Sequence, residues 1–330
     1  MSHQKLLVRM PNWIGDFIMA LPLLHDLKRR FPDALLTVMC LDTLTPLLQE
    51  NPFVDDVFTF SKTRKTHDAG IIDRLRKESY DVGILVTNSF SSAWWLSQGG
   101  IKQTVGFKRL DRWFLVQNQQ KPIKTSHQVD EYKTLLTSLG LPVSETAPEL
   151  FLSSDEKEQV HRFLLTYGLS SADPVLGVNP GAAYGLAKCW PPERFREVIR
   201  EMARTHAVLV FGDASMVNLV DQMTRGMPED VINLAGKTSL RQLCGLIGRC
   251  QLFLTNDSGP MHIADSLGIP LVALFGSTDA KKTGPYRQGT VLQKEVECSP
   301  CFERECPIDF RCMKGIQVDE VLKSLKGQLV

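Results

Sequence analysis

The feature that most constrains this chain is an alternation that runs through it twice: a short apolar run, a polar loop, then a stretch whose apolar residues recur three and four apart. A short apolar run without polar alternation suits a strand covered on both faces, and the helical spacing that follows supplies a cover, so the pattern predicts parallel strands joined by crossover helices. In the first half the predicted strands are residues 5–10, 35–40, 54–60 and 82–87, with helices at 17–31, 45–50, 71–77 and 91–96. The pattern fades into a basic, polar stretch at 121–127, a helix at 128–139 and turn-rich residues 142–148. It restarts with strands at 175–179, 208–211, 231–234, 252–255 and 271–275, separated by helices at 191–204, 217–224, 240–247 and 260–267. Two doubly wound α/β domains follow, 1–160 and 161–330, in line with a prior of ~150 residues per domain for a 330-residue chain. Open parallel sheets bind ligands beyond the carboxyl ends of their strands, so the loops after the strands are the candidate sites.

Composition narrows the function classes. Lys plus Arg number 38 against 37 Asp plus Glu, a formal net charge of +1, so no overall field attracts a polyanion and bulk nucleic-acid binding is not expected. The longest uncharged stretch, 82–98, is broken by Thr87, Asn88, Ser89, Ser91 and Ser92, short of the ~20 apolar residues a spanning helix needs. The first residues hold an apolar run too short for a signal-peptide core, which predicts a cytoplasmic protein whose eight cysteines are reduced.

Three loops carry chemistry. The first strand runs into Pro11-Asn-Trp-Ile-Gly-Asp16, putting a carboxylate at a helix entrance beside Asn12 and Trp13. Two roles are open to Asp16 there: a helix cap, or a general base for a hydroxyl. Val175-Leu-Gly-Val-Asn-Pro-Gly181 leads to Tyr184-Gly-Leu-Ala-Lys-Cys-Trp-Pro191, where Gly181 and Gly185 permit close backbone approach and Lys188 is either a phosphate-binding charge or a solvated lysine. Neither a G-x-G-x-x-G fingerprint nor a phosphate-binding Walker loop occurs; Gly236-Lys-Thr238 imitates the end of the latter, but Val231 stands where its first glycine is required. Thr255-Asn-Asp-Ser-Gly-Pro-Met-His262 again passes from strand to helix, with Asp257, Ser258 and Gly259 at the helix start; capping and the binding of sugar hydroxyls or pyrophosphate are both open. His262 reads as a structural hydrogen-bonding residue.

Cys298, Cys301, Cys306 and Cys312 fall within fifteen residues, a set that suits a four-thiolate zinc site, reduced packing thiols or a labile disulfide. Their short middle spacing is unlike common zinc ribbons. Basic stretches at Lys62–Lys65 and at Lys102–Arg112, the latter with Lys108, Arg109 and Arg112, are either solvated faces or ground for an anionic acceptor or membrane surface.

Taken together, the three loops and Pro270-Leu-Val-Ala-Leu-Phe-Gly-Ser277 resemble, in their order and over nearly the whole chain, the lipopolysaccharide heptosyltransferases of glycosyltransferase family 9. The Trp-Ile-Gly-Asp and Tyr-Gly-x-Ala-Lys-x-Trp-Pro segments look more like the heptosyltransferase II branch than the heptosyltransferase I branch. The resemblance implies a GT-B architecture, two Rossmann-like domains facing across a cleft, with the acceptor on the first and the nucleotide-sugar on the second. It implies that Asp16 is the catalytic base, that Lys188 meets the donor phosphates, and that Asp257, Ser258 and Gly259 hold heptose hydroxyls and pyrophosphate. Gly181 and Gly236 are assigned to the donor side, and Asn12, Trp13, Arg64 and Lys65 to the acceptor. The implied partners are ADP-heptose and a lipid-linked inner-core lipopolysaccharide acceptor met peripherally at the inner face of the cytoplasmic membrane, with no nucleic acid. Attack opposite the departing ADP gives inversion, with leaving-group charge met by Lys188 and helix N-termini. No Asp-x-Asp pair occurs in the chain, and neither metal nor cofactor is expected. A member using another nucleotide-sugar or acceptor, or a non-catalytic nucleotide-sugar-binding protein on the same fold, is the alternative. Two residues depart from the family pattern: Cys189 stands where arginine is expected and Asp265 where a small residue is, which puts donor affinity or donor choice in question.

Overall fold

The structure, a computed structural model, describes residues 4–61, 67–123 and 127–329. By internal contacts the chain divides into two compact units, residues 1–151 and 152–330. The division falls nine residues before the 160/161 boundary read from the sequence, because the helix at Ser154–Leu165 packs against a helix of the second unit.

The first unit is a six-stranded sheet of β1 (Lys5–Arg9), β2 (Leu35–Leu41), β3 (Asp56–Phe60), β4 (Val82–Leu85), β5 (Gln103–Phe107) and β6 (Asn118–Gln120), every pairing parallel, in the order β3-β2-β1-β4-β5-β6. Its helices are α1 (Ile14–Ala20), α2 (Pro22–Arg30), α3 (His67–Glu78), α4 (Phe90–Gln98) and α5 (Gln128–Lys133). The second unit repeats the winding with β7 (Val175–Asn179), β8 (Ala207–Val210), β9 (Val231–Asn233), β10 (Leu252–Asn256), β11 (Leu271–Phe275) and β12 (Thr290–Gln293), ordered β12-β11-β10-β7-β8-β9 and again all parallel. Its helices are α6 (Ser154–Leu165), α7 (Pro192–Met202), α8 (Val217–Thr224), α9 (Leu240–Arg249), α10 (Gly259–Ser266), α11 (Ala280–Thr283), α12 (Arg311–Gly315) and α13 (Val318–Gly327). Each unit is thus a Rossmann-type sheet with the strand order 3-2-1-4-5-6, and the pair of them is a GT-B fold.

The central strands explain the apolar runs. Leu6, Leu7 and Val8 of β1 and all five residues of β10 and β11 are buried, as strands covered on both faces require. Helix α7 adds Phe195, Val198, Ile199 and Met202, spaced to face the second sheet, and Pro192 at its first position loses no intrahelical bond.

Local chemistry corrects the sequence reading at several places. The helix expected over 17–31 is two helices, since Pro22 cannot donate within the first and instead opens the second. Residues 42–48 form a 3-10 helix with Pro46 inside, not an α-helix at 45–50. The sequence reading has no strand at β5, where Gln103, Thr104 and Gly106 break the apolar run, nor at β6 and β12, half-exposed sheet-edge strands that lack one.

In each sheet the winding reverses beside the first strand, between β1 and β4 and between β7 and β10. At such a switch point the loops leaving the two strands diverge and open a crevice at the carboxyl edge. The loops at these two points hold Asn12 to Asp16 in the first unit, and Asn179 to Gly181 and Asp257 to Gly259 in the second.

Candidate active site

In the first unit the N-cap of α1 is Trp13, whose side chain makes no capping bond, and Asp16 lies within the first helical turn. Trp13 rather than Asp16 is thus the N-cap residue, and Asp16 Oδ1 accepts a hydrogen bond from the Tyr132 hydroxyl at 3.1 Å. Tyr132 comes from α5, which packs on α1, and is buried. Burial first, then the negative charge of Asp16, pushes the Tyr132 hydroxyl well above its ordinary range, so it stays protonated and a donor. Asp16 is half-buried at the positive end of a helix dipole, and Trp13 beside it is 53% exposed.

Beneath this loop sits a residue that no sequence signal marked. Arg9, 1% exposed at the end of β1, donates to the Met10 carbonyl and, at 2.9 Å, to Asn12 Oδ1, while its guanidinium lies 4.5 Å from the centroid of the Phe60 ring. Among the described residues its Nε has no hydrogen-bond partner, and burial lowers its pKa to about 9. Asn12 is thereby held by its carbonyl oxygen, leaving its amide N–H groups to face elsewhere. Arg64 and Lys65 lie outside the described residues.

In the second unit the predicted residues converge. Lys188 Nζ donates to Asp257 Oδ2 at 2.5 Å, the two side chains being 13% and 5% exposed, and the Thr278 hydroxyl donates to the same oxygen at 2.6 Å. Ser258 is the N-cap of α10 but makes no side-chain capping bond; its hydroxyl instead meets Asn179 Nδ2 at 3.1 Å and Thr255 Oγ1 at 3.0 Å. Asn179 also donates to the Gly181 carbonyl at 2.9 Å, and Asn256 ties Pro180 to Trp190 through bonds of 2.6 and 3.1 Å. Lys188, Asp257 and Thr278 thus form one bonded cluster, and Gly181, Asn179, Ser258 and Thr255 a second; the two adjoin at Asp257–Ser258 in the loop after β10, with Gly259 opening α10 beside them.

The loop carrying Lys188 is shaped by a close approach. A Cβ on Gly185 would lie 2.3 Å from the Arg304 carbonyl oxygen, which accepts the Ala187 N–H at 3.0 Å, so only glycine fits. The Lys188 ammonium and the Arg304 guanidinium lie 4.9 and 5.2 Å from the centroid of the Tyr184 ring, whose hydroxyl donates to the Phe302 carbonyl at 2.6 Å. Gly236 joins none of these bonds. It turns the chain after β9 with φ +69°, and its N–H reaches the Gly212 carbonyl at 2.9 Å.

Asp265 and Cys189 are accounted for locally. Asp265 is 2% exposed, and its carboxylate accepts backbone N–H bonds from Tyr286, Arg287 and Gln288 at 2.7, 3.1 and 3.3 Å, clamping the turn before β12; burial raises its pKa. The half-buried Cys189 thiol points back to the Gly185 carbonyl at 3.9 Å, and burial pushes it up. Cys298, Cys301, Cys306 and Cys312 are free thiols lining one small pocket. Burial, reinforced by the other three, raises Cys312. Among the described residues no group of three or more His, Cys, Asp or Glu side chains is arranged to hold a metal ion.

A carboxylate at one switch point and a cation, carboxylate and hydroxyls at the other can accept a proton and bind an anionic sugar derivative respectively. Residues 69–310 match the model of glycosyltransferase family 9 (heptosyltransferase). The chain belongs to that family. Lipooligosaccharide heptosyltransferase 2 of Campylobacter jejuni is 29% identical over 329 residues, covering 98% of each chain, and lipopolysaccharide heptosyltransferase 2 of Escherichia coli is 31% identical with 85% of each covered. The structure of the E. coli ADP-heptose LPS heptosyltransferase II superposes with a TM-score of 0.85 at 28% identity, covering 99% of this chain and 98% of that one. As a family 9 member the protein is a glycosyltransferase, similar to the heptosyltransferase II type. Among the described residues no helix is long and apolar enough to cross a membrane.

Proposed function

We propose that this family 9 enzyme is an inverting heptosyltransferase that moves heptose from ADP-L-glycero-D-manno-heptose to a heptose of the lipid-linked lipopolysaccharide inner core. The first unit binds the acceptor through Asn12 and Trp13. The second binds the donor through Gly181, Lys188, Asp257, Ser258 and Gly259. Asp16 takes the proton of the acceptor hydroxyl as its oxygen attacks the anomeric carbon from the face opposite the diphosphate. The C–O bond to ADP breaks in the same displacement, and Lys188 with the α10 N-terminus meets the charge that develops on the leaving group. Such an acceptor is anchored in a bilayer, so the enzyme works in the cytoplasm as a peripheral protein at the inner face of the membrane.

The observation that supports this reading is Asp16 itself: a half-buried carboxylate at a switch point, hydrogen-bonded to a hydroxyl that stays protonated, in a chain of this family. ADP release from ADP-heptose, dependent on a lipid A–Kdo–heptose acceptor, tests it. Release from GDP- or UDP-sugars at a higher kcat/KM, or no acceptor dependence, overturns it.

A further inference from the structure

The carboxyl edge of the first sheet carries a turn with an unusual outer face. Leu110, Trp113 and Phe114 are 91%, 62% and 61% exposed, and Phe90 joins them at 46%. The three rings are contiguous, Trp113 to Phe114 at 5.9 Å between centroids and Phe114 to Phe90 at 6.4 Å. Large apolar side chains grouped this way in water mark a surface that meets something else.

The exposure is enforced by the scaffold below. Arg112, between Leu110 and Trp113 in the sequence, is fully buried and donates to the Thr87 carbonyl, Asn88 Oδ1 and the Phe107 carbonyl at 2.8, 3.0 and 3.0 Å. Leu115 and Val116 are buried, and Gln119 Nε2 donates to the Trp113 and Val116 carbonyls at 2.5 and 2.9 Å. The turn is pinned on both sides, and its apolar side chains face out because the inward places are taken.

The charge around it is predominantly positive. Residues 108–121 hold four basic side chains, of which Arg112 is buried beneath the turn, and one acidic one, Asp111, which pairs with Arg109 at 3.2 Å, in a chain whose overall formal charge is +1. The Lys108 N–H bonds the Gln120 carbonyl at 2.8 Å, which brings exposed Lys108 and Lys121 alongside one another. A second copy of the chain on this face would oppose like charges; an anionic surface would not.

We propose that this turn is a docking surface for an anionic phospholipid bilayer, with Leu110, Trp113 and Phe114 entering the headgroup layer and Lys108, Arg109 and Lys121 meeting lipid phosphates. The proposal takes from the functional reading that the acceptor is lipid-linked. It adds which surface faces the lipid: β5, whose end leads into the turn, pairs with β4 and β4 with β1, so the turn shares a sheet edge with Asp16.

The test is flotation of the full-length protein with vesicles of phosphatidylglycerol and phosphatidylcholine, and with phosphatidylcholine alone. Wild type should float with the anionic vesicles and release as salt is raised. The triple variant Leu110→Ser, Trp113→Ser, Phe114→Ser should lose at least tenfold in partition, and Lys108→Gln and Lys121→Gln about fivefold each. Turnover on a water-soluble, delipidated acceptor should be equal in wild type and triple variant, which also reports that the variant folds. Equal flotation of wild type and triple variant, or equal binding of wild type to both vesicle types, overturns the docking surface. A wild-type dimer that the triple variant dissolves, seen by analytical ultracentrifugation, assigns the face to a second copy and overturns it too. Flotation as expected without turnover on either acceptor leaves the surface standing and removes the functional reading.

Discussion

Asp257 accepts from both Lys188 and Thr278 on one oxygen, which makes the pair a measurable unit. Lys188→Met removes the ammonium and leaves a carboxylate that is 5% exposed with the Thr278 hydroxyl. Removing one partner of a buried pair costs about 3–5 kcal/mol; the lysine end is 13% exposed, and water reaching it brings the loss nearer 2–3 kcal/mol. Asp257→Asn strands a flexible ammonium that can turn to solvent, so about 1–2 kcal/mol is expected. Both variants delete the same contact, and the double variant should be less destabilised than the two losses together by about 1–2 kcal/mol. Urea melts of the four proteins read this coupling. Binding divides the roles. Lys188→Met should weaken ADP by about 10–100-fold, the worth of one charge-assisted hydrogen bond of about 1.5–3 kcal/mol. Asp257→Asn should leave ADP affinity unchanged or raise it, because a carboxylate no longer competes with phosphate for the ammonium, yet weaken ADP-heptose by losing an acceptor for sugar hydroxyls. Calorimetry with both ligands checks the split. Additive melts refute the coupling, and ADP affinity equal in wild type and Lys188→Met refutes the phosphate role.

Asp16→Asn should cut turnover by about 10²–10⁴ while the melting temperature holds, since the amide oxygen still accepts the Tyr132 hydrogen; a variant keeping a few tenths of the rate shows that Asp16 is no base. Tyr132→Phe removes the donor that positions the Asp16 carboxylate, so kcat should fall by about tenfold while KM for ADP-heptose holds, an unchanged kcat meaning that Tyr132 serves packing alone. Glu156, bridged to Arg241 at 2.6 Å, has its pKa held down chiefly by that hydrogen bond. A lowered pKa contributes stability above the ordinary carboxylate range that is lost as pH falls through the folded value, so Glu156→Gln should cost about 1–2 kcal/mol at neutral pH and nothing in strong acid, where a persistent gap in urea midpoints refutes the linkage.

The legible part of this protein is what neighbours along the chain decide. Apolar runs at β1, β2, β7, β10 and β11 mark strands buried on both faces, because such strands must be apolar throughout. The loops that follow them carry Asp16, Lys188 and Asp257 to Gly259 within a few residues, so their place at a carboxyl edge follows from strand-then-helix order. One missed element was legible as well: Ser153 and Glu156 form a capping box that announces α6, and its packing on α9 moves the boundary between the units to Phe151. Strands β6 and β12 were not, because a short, half-exposed edge strand needs no apolar run.

Partnership across long loops was decided by the tertiary structure alone. Tyr132 meets Asp16 from 116 residues away and Lys188 meets Asp257 from 69, and neither distance along the chain leaves a periodicity to read. Arg9 and Arg112 look in the sequence like any surface cations, yet one lies buried under Asn12 and the other holds a turn whose apolar side chains face out. Asp265, which the family pattern set beside the question of donor choice, is a clamp on three backbone N–H groups of the turn before β12. Local sequence specifies which element a residue belongs to, because backbone propensity and burial period act over a few residues. What its side chain touches depends on how the sheets wind, and that emerges only when segments far apart in the chain pack together.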